Sequence, residues 1–173
     1  MIVKNTSKSA FTLVELVIVI AILVTLTGFI TANYVQYSEE RKLADALVNL
    51  KTILTLARTK AATGDIGTYA CSNFQGYEVV YDDTNKNYTT SICCGASPNA
   101  TTCSTKYTVA TYPIKTNISI RSGPVSVVFL PFARGTYANT EAGIEFRNSF
   151  IKQCNYLKIS PIGVIDQGTA YQC

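Results

Sequence analysis

The sequence predicts an α+β fold, with a long N-terminal helix packed on an antiparallel β-sheet domain. Three observations predict it. Residues 16–32 carry no charge at all, which suits a membrane-spanning helix. Residues 37–62 then place apolar side chains at helical spacing among charges. From residue 65 onward, short β-branched and aromatic runs alternate with turn residues, and this region holds all six cysteines. The chain therefore divides into a transmembrane half of the helix (residues 11–33), an amphipathic half (34–64) and a disulfide-bonded β-rich globular domain (65–173).

A helix rising 1.5 Å per residue needs roughly 20 apolar residues to cross a hydrocarbon core of about 30 Å. Residues 11–32 supply them, and Lys4 and Lys8 in the polar head place the N-terminus in the cytoplasm. Everything after Asn33 then lies across the membrane. A secretory signal peptide carries its apolar region ahead of a small-residue cut site. Here the small residue, Ala10, precedes the run, so the run stays in the protein. Glu15 breaks the apolar pattern. A charge in a spanning segment costs on the order of 2.5–3.5 kcal/mol at the centre and less near the end. Two roles fit it: the carboxylate snorkels to the interface, or it pairs inside the membrane with a positive group on another subunit.

After the span, Leu43, Ala46, Leu47, Leu50, Ile53, Leu54, Ala57 and Ala61 form the stripe of an amphipathic helix. Glu39, Glu40, Arg41, Lys42, Asp45, Lys51, Arg58 and Lys60 read as its solvated face, with weak pairs between Glu39 and Lys42 and between Arg41 and Asp45. The helix should stop near Gly64, with Arg58 and Lys60 suited to its last turns. Gly28 is its one weak point, at about 1 kcal/mol relative to Ala.

Strands are expected at residues 77–81 and 88–92 around a polar hairpin loop, then at 106–112, 117–121, 125–130, 143–146, 155–160 and 163–167. Cys71, Cys93, Cys94, Cys103, Cys154 and Cys173 all fall on the non-cytoplasmic side, where an even count reads as a disulfide framework. Zinc would call for CxxC spacings or histidines, and the chain has neither. Cys154 and Cys173 flank the last two strand runs and are expected to pair. A bridge between the adjacent Cys93 and Cys94 needs distorted geometry, so Cys71 joins one of them and Cys103 the other, in an order left open. Asn87, Asn99 and Asn117 fit the glycosylation acceptor pattern, which short sequences match by chance, and they read as strand and loop polars.

Ala10-Phe11-Thr12-Leu13-Val14-Glu15 resembles the cleavage site of type IV prepilins and type II secretion pseudopilins, usually Gly-Phe-Thr-Leu-x-Glu. The resemblance implies a pilin-like fold and a leader peptide, residues 1–10, removed by a prepilin peptidase between Ala10 and Phe11. It implies N-methylation of Phe11, and pairing of Glu15, the fifth mature residue, with a neighbour's N-terminus during filament assembly. The implied partners are other pilin or pseudopilin subunits, the inner-membrane assembly platform and the membrane itself, with no cofactor and no metal. The implied location is a single-pass membrane protein that passes into an extracellular or periplasmic filament. The chain departs from the pattern at Ala10, where the family carries Gly, and slower cleavage is the expected cost. Many members also hold a proline two-thirds along the span, where this chain has Ala32.

A second stretch, Val127-Val128-Phe129-Leu130-Pro131-Phe132-Ala133-Arg134-Gly135 followed by Leu157-Lys158-Ile159-Ser160-Pro161-Ile162-Gly163, resembles H-type minor pseudopilins and FimT-like minor pilins. It implies a minor subunit.

Catalysis is disfavoured by composition. Histidine is absent, so neither a Ser-His nor a Cys-His pair can form, and no glycine-rich phosphate loop follows a strand. Asp82 and Asp83 read as a solvated hairpin tip. The alternative function is DNA binding by a minor pilin of a DNA-uptake pilus. FimT-like pilins that bind DNA use arginines around the C-terminal Gly turn, but residues 163–166 here contain none. The net charge is +4 and falls by two once Lys4 and Lys8 leave. Arg121, Arg134, Arg147, Lys152 and Lys158 read as scattered, whereas phosphate contacts need clustered cations.

Overall fold

The computed structural model describes residues 12–95, 103–115, 117–137 and 141–173. The chain resolves into two compact units, Met1–Ser38 and Glu39–Cys173, and one helix, α1 (Leu13–Thr63), runs through both.

In the first unit the apolar side chains of α1 stay exposed on every side, among them Leu13, Leu16, Ile18, Ile20, Leu23 and Leu26. A helix that is hydrophobic all round has no aqueous face, and this one is long and apolar enough to cross a membrane. Two of its hydroxyls, those of Thr25 and Thr27, are satisfied internally. Thr25 donates to the carbonyls of Ala21 and Ile22 at 3.1 and 2.9 Å, and Thr27 to those of Leu23 and Val24 at 2.6 and 3.1 Å. Such back-bonding removes the need for water around a polar side chain in lipid.

In the second unit, α1 turns one face inward. Leu43, Leu47, Leu50, Leu54 and Ala61 are at most 2 % exposed, on the stripe that the helical spacing marks, while Val48 and Leu56 face out. The helix closes with the Asp65 N–H bonded to the Lys60 carbonyl at 3.0 Å. Nine strands follow among the described residues: β1 (Phe74–Asp82), β2 (Asn87–Cys94), β3 (Thr105–Pro113), β4 (Ile118–Ser122), β5 (Ser126–Phe129), β6 (Ala142–Asn148), β7 (Gln153–Ile159), β8 (Ile165–Gln167) and β9 (Tyr171–Gln172). All their pairings are antiparallel. The first sheet runs β3-β2-β1-β5 and the second β4-β6-β7-β8, with β9 also paired to β7. Tyr77, Val79, Ile92 and Phe129 from the first sheet and Phe146, Leu157 and Ile159 from the second share one core with the helix stripe.

The β region is antiparallel, as expected, and its strands divide between two sheets. The chain changes sheets from β3 to β4, from β4 to β5 and from β5 to β6, and the second change is made at Gly123-Pro124. Pro124 offers no N–H to a ladder. Gly123 has φ 131°, and a Cβ there would lie 2.6 Å from the Gly143 carbonyl oxygen, so only glycine lets the chain cross so closely. The β1–β2 loop is tightened by Asp82, whose carboxylate accepts the N–H groups of Thr84 and Asn85 at 2.9 and 3.0 Å. β9 is the strand that the residue pattern does not mark. Two residues are too few for an alternation. It is held instead by the Cys154–Cys173 disulfide and by the Cys173 N–H on the Lys152 carbonyl at 3.1 Å.

The other two bridges join Cys71 to Cys94 and Cys93 to Cys103. Adjacent residues on β2 thus reach opposite ways, one to the segment before β1 and one to the segment before β3. No described cysteine is free.

Candidate assembly site

Ala10 and Phe11, the residues that flank the expected cut, lie outside the described residues, as do Lys4 and Lys8. The described site begins at Thr12. Its hydroxyl accepts the Glu15 N–H at 3.2 Å and its carbonyl the Leu16 N–H at 3.2 Å, which makes Thr12 the N-cap of α1 and Glu15 its third residue. Thr-x-x-Glu is the capping-box pattern, a signal present in the sequence that gives Glu15 a local role besides any intermolecular one. A carboxylate in the first turn also meets the positive end of the helix dipole. Among the described residues no cation approaches the Glu15 carboxylate, which remains exposed and open to a group from another molecule.

At the start of the second unit, Glu39 is 5 % exposed, where the sequence reading placed it on a solvated face. That reading is corrected by three partners. Lys42 Nζ donates to its carboxylate at 2.5 Å, Asn148 Nδ2 at 3.0 Å, and Asn117 Nδ2 at 3.3 Å. Asn148, fully buried, also donates to the Glu39 backbone carbonyl at 3.0 Å. The Lys42 hydrogen bond does most to hold the Glu39 carboxyl below its ordinary range, helped by the Asn148 amide and opposed by burial. The second sheet is thereby fixed to the helix at one polar point. Glu78 is a second buried carboxylate, which accepts from Ser126 Oγ at 2.6 Å and faces Lys106 Nζ at 2.7 Å.

The cations that read as scattered are partly gathered. Arg147 on β6 is in register with Ser119 and Cys154, and Lys158 on β7 with Gly143 and Asp166, so both side chains stand on the outer face of the second sheet. Arg121 reaches the same face and bonds Glu145 at 3.2 Å. That glutamate is held in its charged form first by Tyr171 and then by Ser122. Lys158 faces Glu141 at 4.0 Å, so this face is of mixed charge. Arg134 and Lys152 lie elsewhere, in loops. The turn at Gly163, which has no arginine of its own, does meet one. A Cβ at Gly163 would come 3.3 Å from Arg58 Nε of the helix. Only the fold could bring that residue there.

The family model of the prokaryotic N-terminal methylation motif matches residues 5–31, covering the polar head from Asn5 onward, the expected cut, Thr12, Glu15 and most of the span. No curated protein and no solved structure matches the chain. The motif, followed by one long helix and antiparallel sheets, supports membership of the type IV pilin and pseudopilin family. A subunit of that family is a structural component and not an enzyme, on the strength of the family alone. The apolar helix fits a membrane-anchored protein that is later assembled into a filament with other such subunits.

Proposed function

We propose that this chain is a minor subunit of a type IV pilus or a type II secretion pseudopilus. A prepilin peptidase cuts it between Ala10 and Phe11, Phe11 is N-methylated, and an inner-membrane platform inserts it into a filament. The carrying observation is the helix start. Capped by Thr12, it presents the exposed Glu15 carboxylate, which no cation approaches among the described residues, at the head of an uncharged span inside the matched motif. In a low-dielectric filament core, an unpaired carboxylate is costly and attraction to a neighbour's N-terminal ammonium is strong. Two variants separate this role from capping. Glutamine also serves at the third position of a capping box, so Glu15→Gln preserves the cap and removes the charge. Intermolecular pairing predicts that Glu15→Gln and Glu15→Ala both enter the membrane but lose filament incorporation; rescue by Glu15→Gln would leave only the capping role.

The minor-subunit reading is supported by the β7–β8 hairpin with Gly163 in its turn, following the Gly135 turn. A second reading, DNA capture, is favoured by one observation, the approach of Arg58 to that hairpin turn. Titration of the protein with duplex DNA tests it, and micromolar binding abolished by Arg58→Ala would raise it above the structural role.

A further inference from the structure

We propose that Lys42 and Asn148 become joined side chain to side chain. The Lys42 amine displaces the Asn148 amide nitrogen, forming an isopeptide bond between α1 and β6, and the Glu39 carboxylate carries the protons. All of these groups belong to the one unit Glu39–Cys173. Glu39 holds both reacting nitrogens, Lys42 Nζ at 2.5 Å on Oε1 and Asn148 Nδ2 at 3.0 Å on Oε2. Nucleophile and leaving group thus sit on the two oxygens of one carboxylate, within reach of a shared base. The Asn148 carbonyl is prepared as well. Its Oδ1 accepts the Phe150 N–H at 2.9 Å and the Ile151 N–H at 3.4 Å. Two backbone donors on that oxygen draw electrons from Cγ and stabilise the oxyanion of an attacked amide. Asn148 is 0 % exposed and Glu39 5 %, so little water reaches the amide to compete with the amine.

The step balances within the chain. Lys42 enters as an ammonium and passes one proton to Glu39 across their hydrogen bond, which frees its lone pair. That nitrogen attacks Asn148 Cγ, and the Cγ–Nδ2 bond breaks as Nδ2 is protonated. The Lys42 nitrogen loses two protons in all and the departing nitrogen gains both. Ammonium is therefore released and Glu39 is again a carboxylate. Nothing is oxidised, and no co-reactant is needed. The Lys42 side chain is 40 % exposed, which gives the ammonium a way out. A plain amide resists amines in water, but reacting groups held on one frame act as if at about 10⁵–10⁸ M. Asn117 Nδ2 reaches the same carboxylate less closely, at 3.3 Å. The bond also supplies a tie that the disulfides do not. All three lie beyond α1, which carries no cysteine, so no disulfide fastens the helix to the sheets.

Peptide mapping of the full chain, purified from producing cells and with its disulfides reduced, tests the bond. Trypsin cuts after Arg41 and Arg147 and frees residues 42–51 and 148–152, neither of which contains cysteine. The expected result is one branched peptide that joins the two, lighter than their sum by one ammonia and uncut after Lys42. Lys42→Arg keeps a cation beside Glu39 and removes the nucleophile, while Glu39→Gln removes the base. Both variants should yield unjoined peptides with no loss of ammonia, and near-ultraviolet circular dichroism checks that each is folded. Unjoined peptides of full mass from the wild type overturn the proposal, whether or not the variants fold. Loss of ammonia confined to residues 148–152 and retained in Lys42→Arg is a succinimide formed by the Ser149 backbone nitrogen, and it overturns the proposal too. A branch to residues 116–121 makes Asn117 the electrophile and overturns the assignment to Asn148. A branch that persists in Glu39→Gln overturns the proton-carrying role of Glu39 and retains the bond.

Discussion

A carboxylate at 5 % exposure stays charged in this domain because Lys42, Asn148 and Asn117 surround it. The pH dependence of Glu39 follows. Its folded pKa lies below the ordinary 4.5, so its contribution is fully present above pH 4.5 and is lost as pH falls through the lower folded value. Thermal melts of wild type and Glu39→Gln between pH 7 and pH 3 should therefore converge toward the acid end; a constant gap would remove the charge from the account. Asn148→Ala strips two bonds to Glu39 and the turn cap at Phe150 together. It should cost about 3 kcal/mol in denaturant unfolding, and a change below about 0.5 kcal/mol would mean that the clamp is idle. Glu39 was not legible in the sequence. A charged residue bordering the apolar stripe looks the same whether it meets water or an amide 109 residues away. The Glu15 charge at the head of the apolar run was legible because both are local patterns, whereas the Thr12 cap, although written in the sequence as Thr-x-x-Glu, was not read from it.

Among the elements, α1 was legible because its burial follows from spacing alone. Leu47 and Leu54, both 0 % exposed, sit on the marked stripe. Truncating either to Ala should cost about 2–5 kcal/mol, whereas Val48→Ala on the exposed side should cost little; similar losses at both faces would undo the assignment of the buried face. Strand positions were legible from β-branched and aromatic runs, but their partners were not. Pairing of β4 with β6 and of β1 with β5 joins segments that local patterns cannot relate. Gly76 marks such a junction. At φ 138° in the β1 bulge, a Cβ would lie 1.9 Å from the Phe129 carbonyl oxygen, so Gly76→Ala must push β5 off β1. Loss of the folded domain is expected, measured by near-ultraviolet circular dichroism, and a native spectrum would contradict the close approach. The order of the cysteine bridges was open for the same reason, because it depends on which side of β2 each neighbouring segment lies.

For the whole molecule, a helix segment that is apolar and exposed on every side and a domain with its own core suit different environments. The mixed charge on the outer face of the second sheet sets the expectation for nucleic acid. Any binding of duplex DNA should be weak and salt-sensitive, since a site with 6–10 phosphate contacts loses about 10³–10⁵ in affinity between 50 and 200 mM salt. Tight binding that persists at high salt would call for a different account. The central claim is processing at the N-terminus, and intact-mass and N-terminal peptide spectrometry of the protein purified from producing cells tests it most directly. The account predicts a chain that begins at Phe11, carries an N-methyl group and retains Glu15 and the whole apolar span. A chain that begins at Met1, or one cut after Ala32, would contradict it.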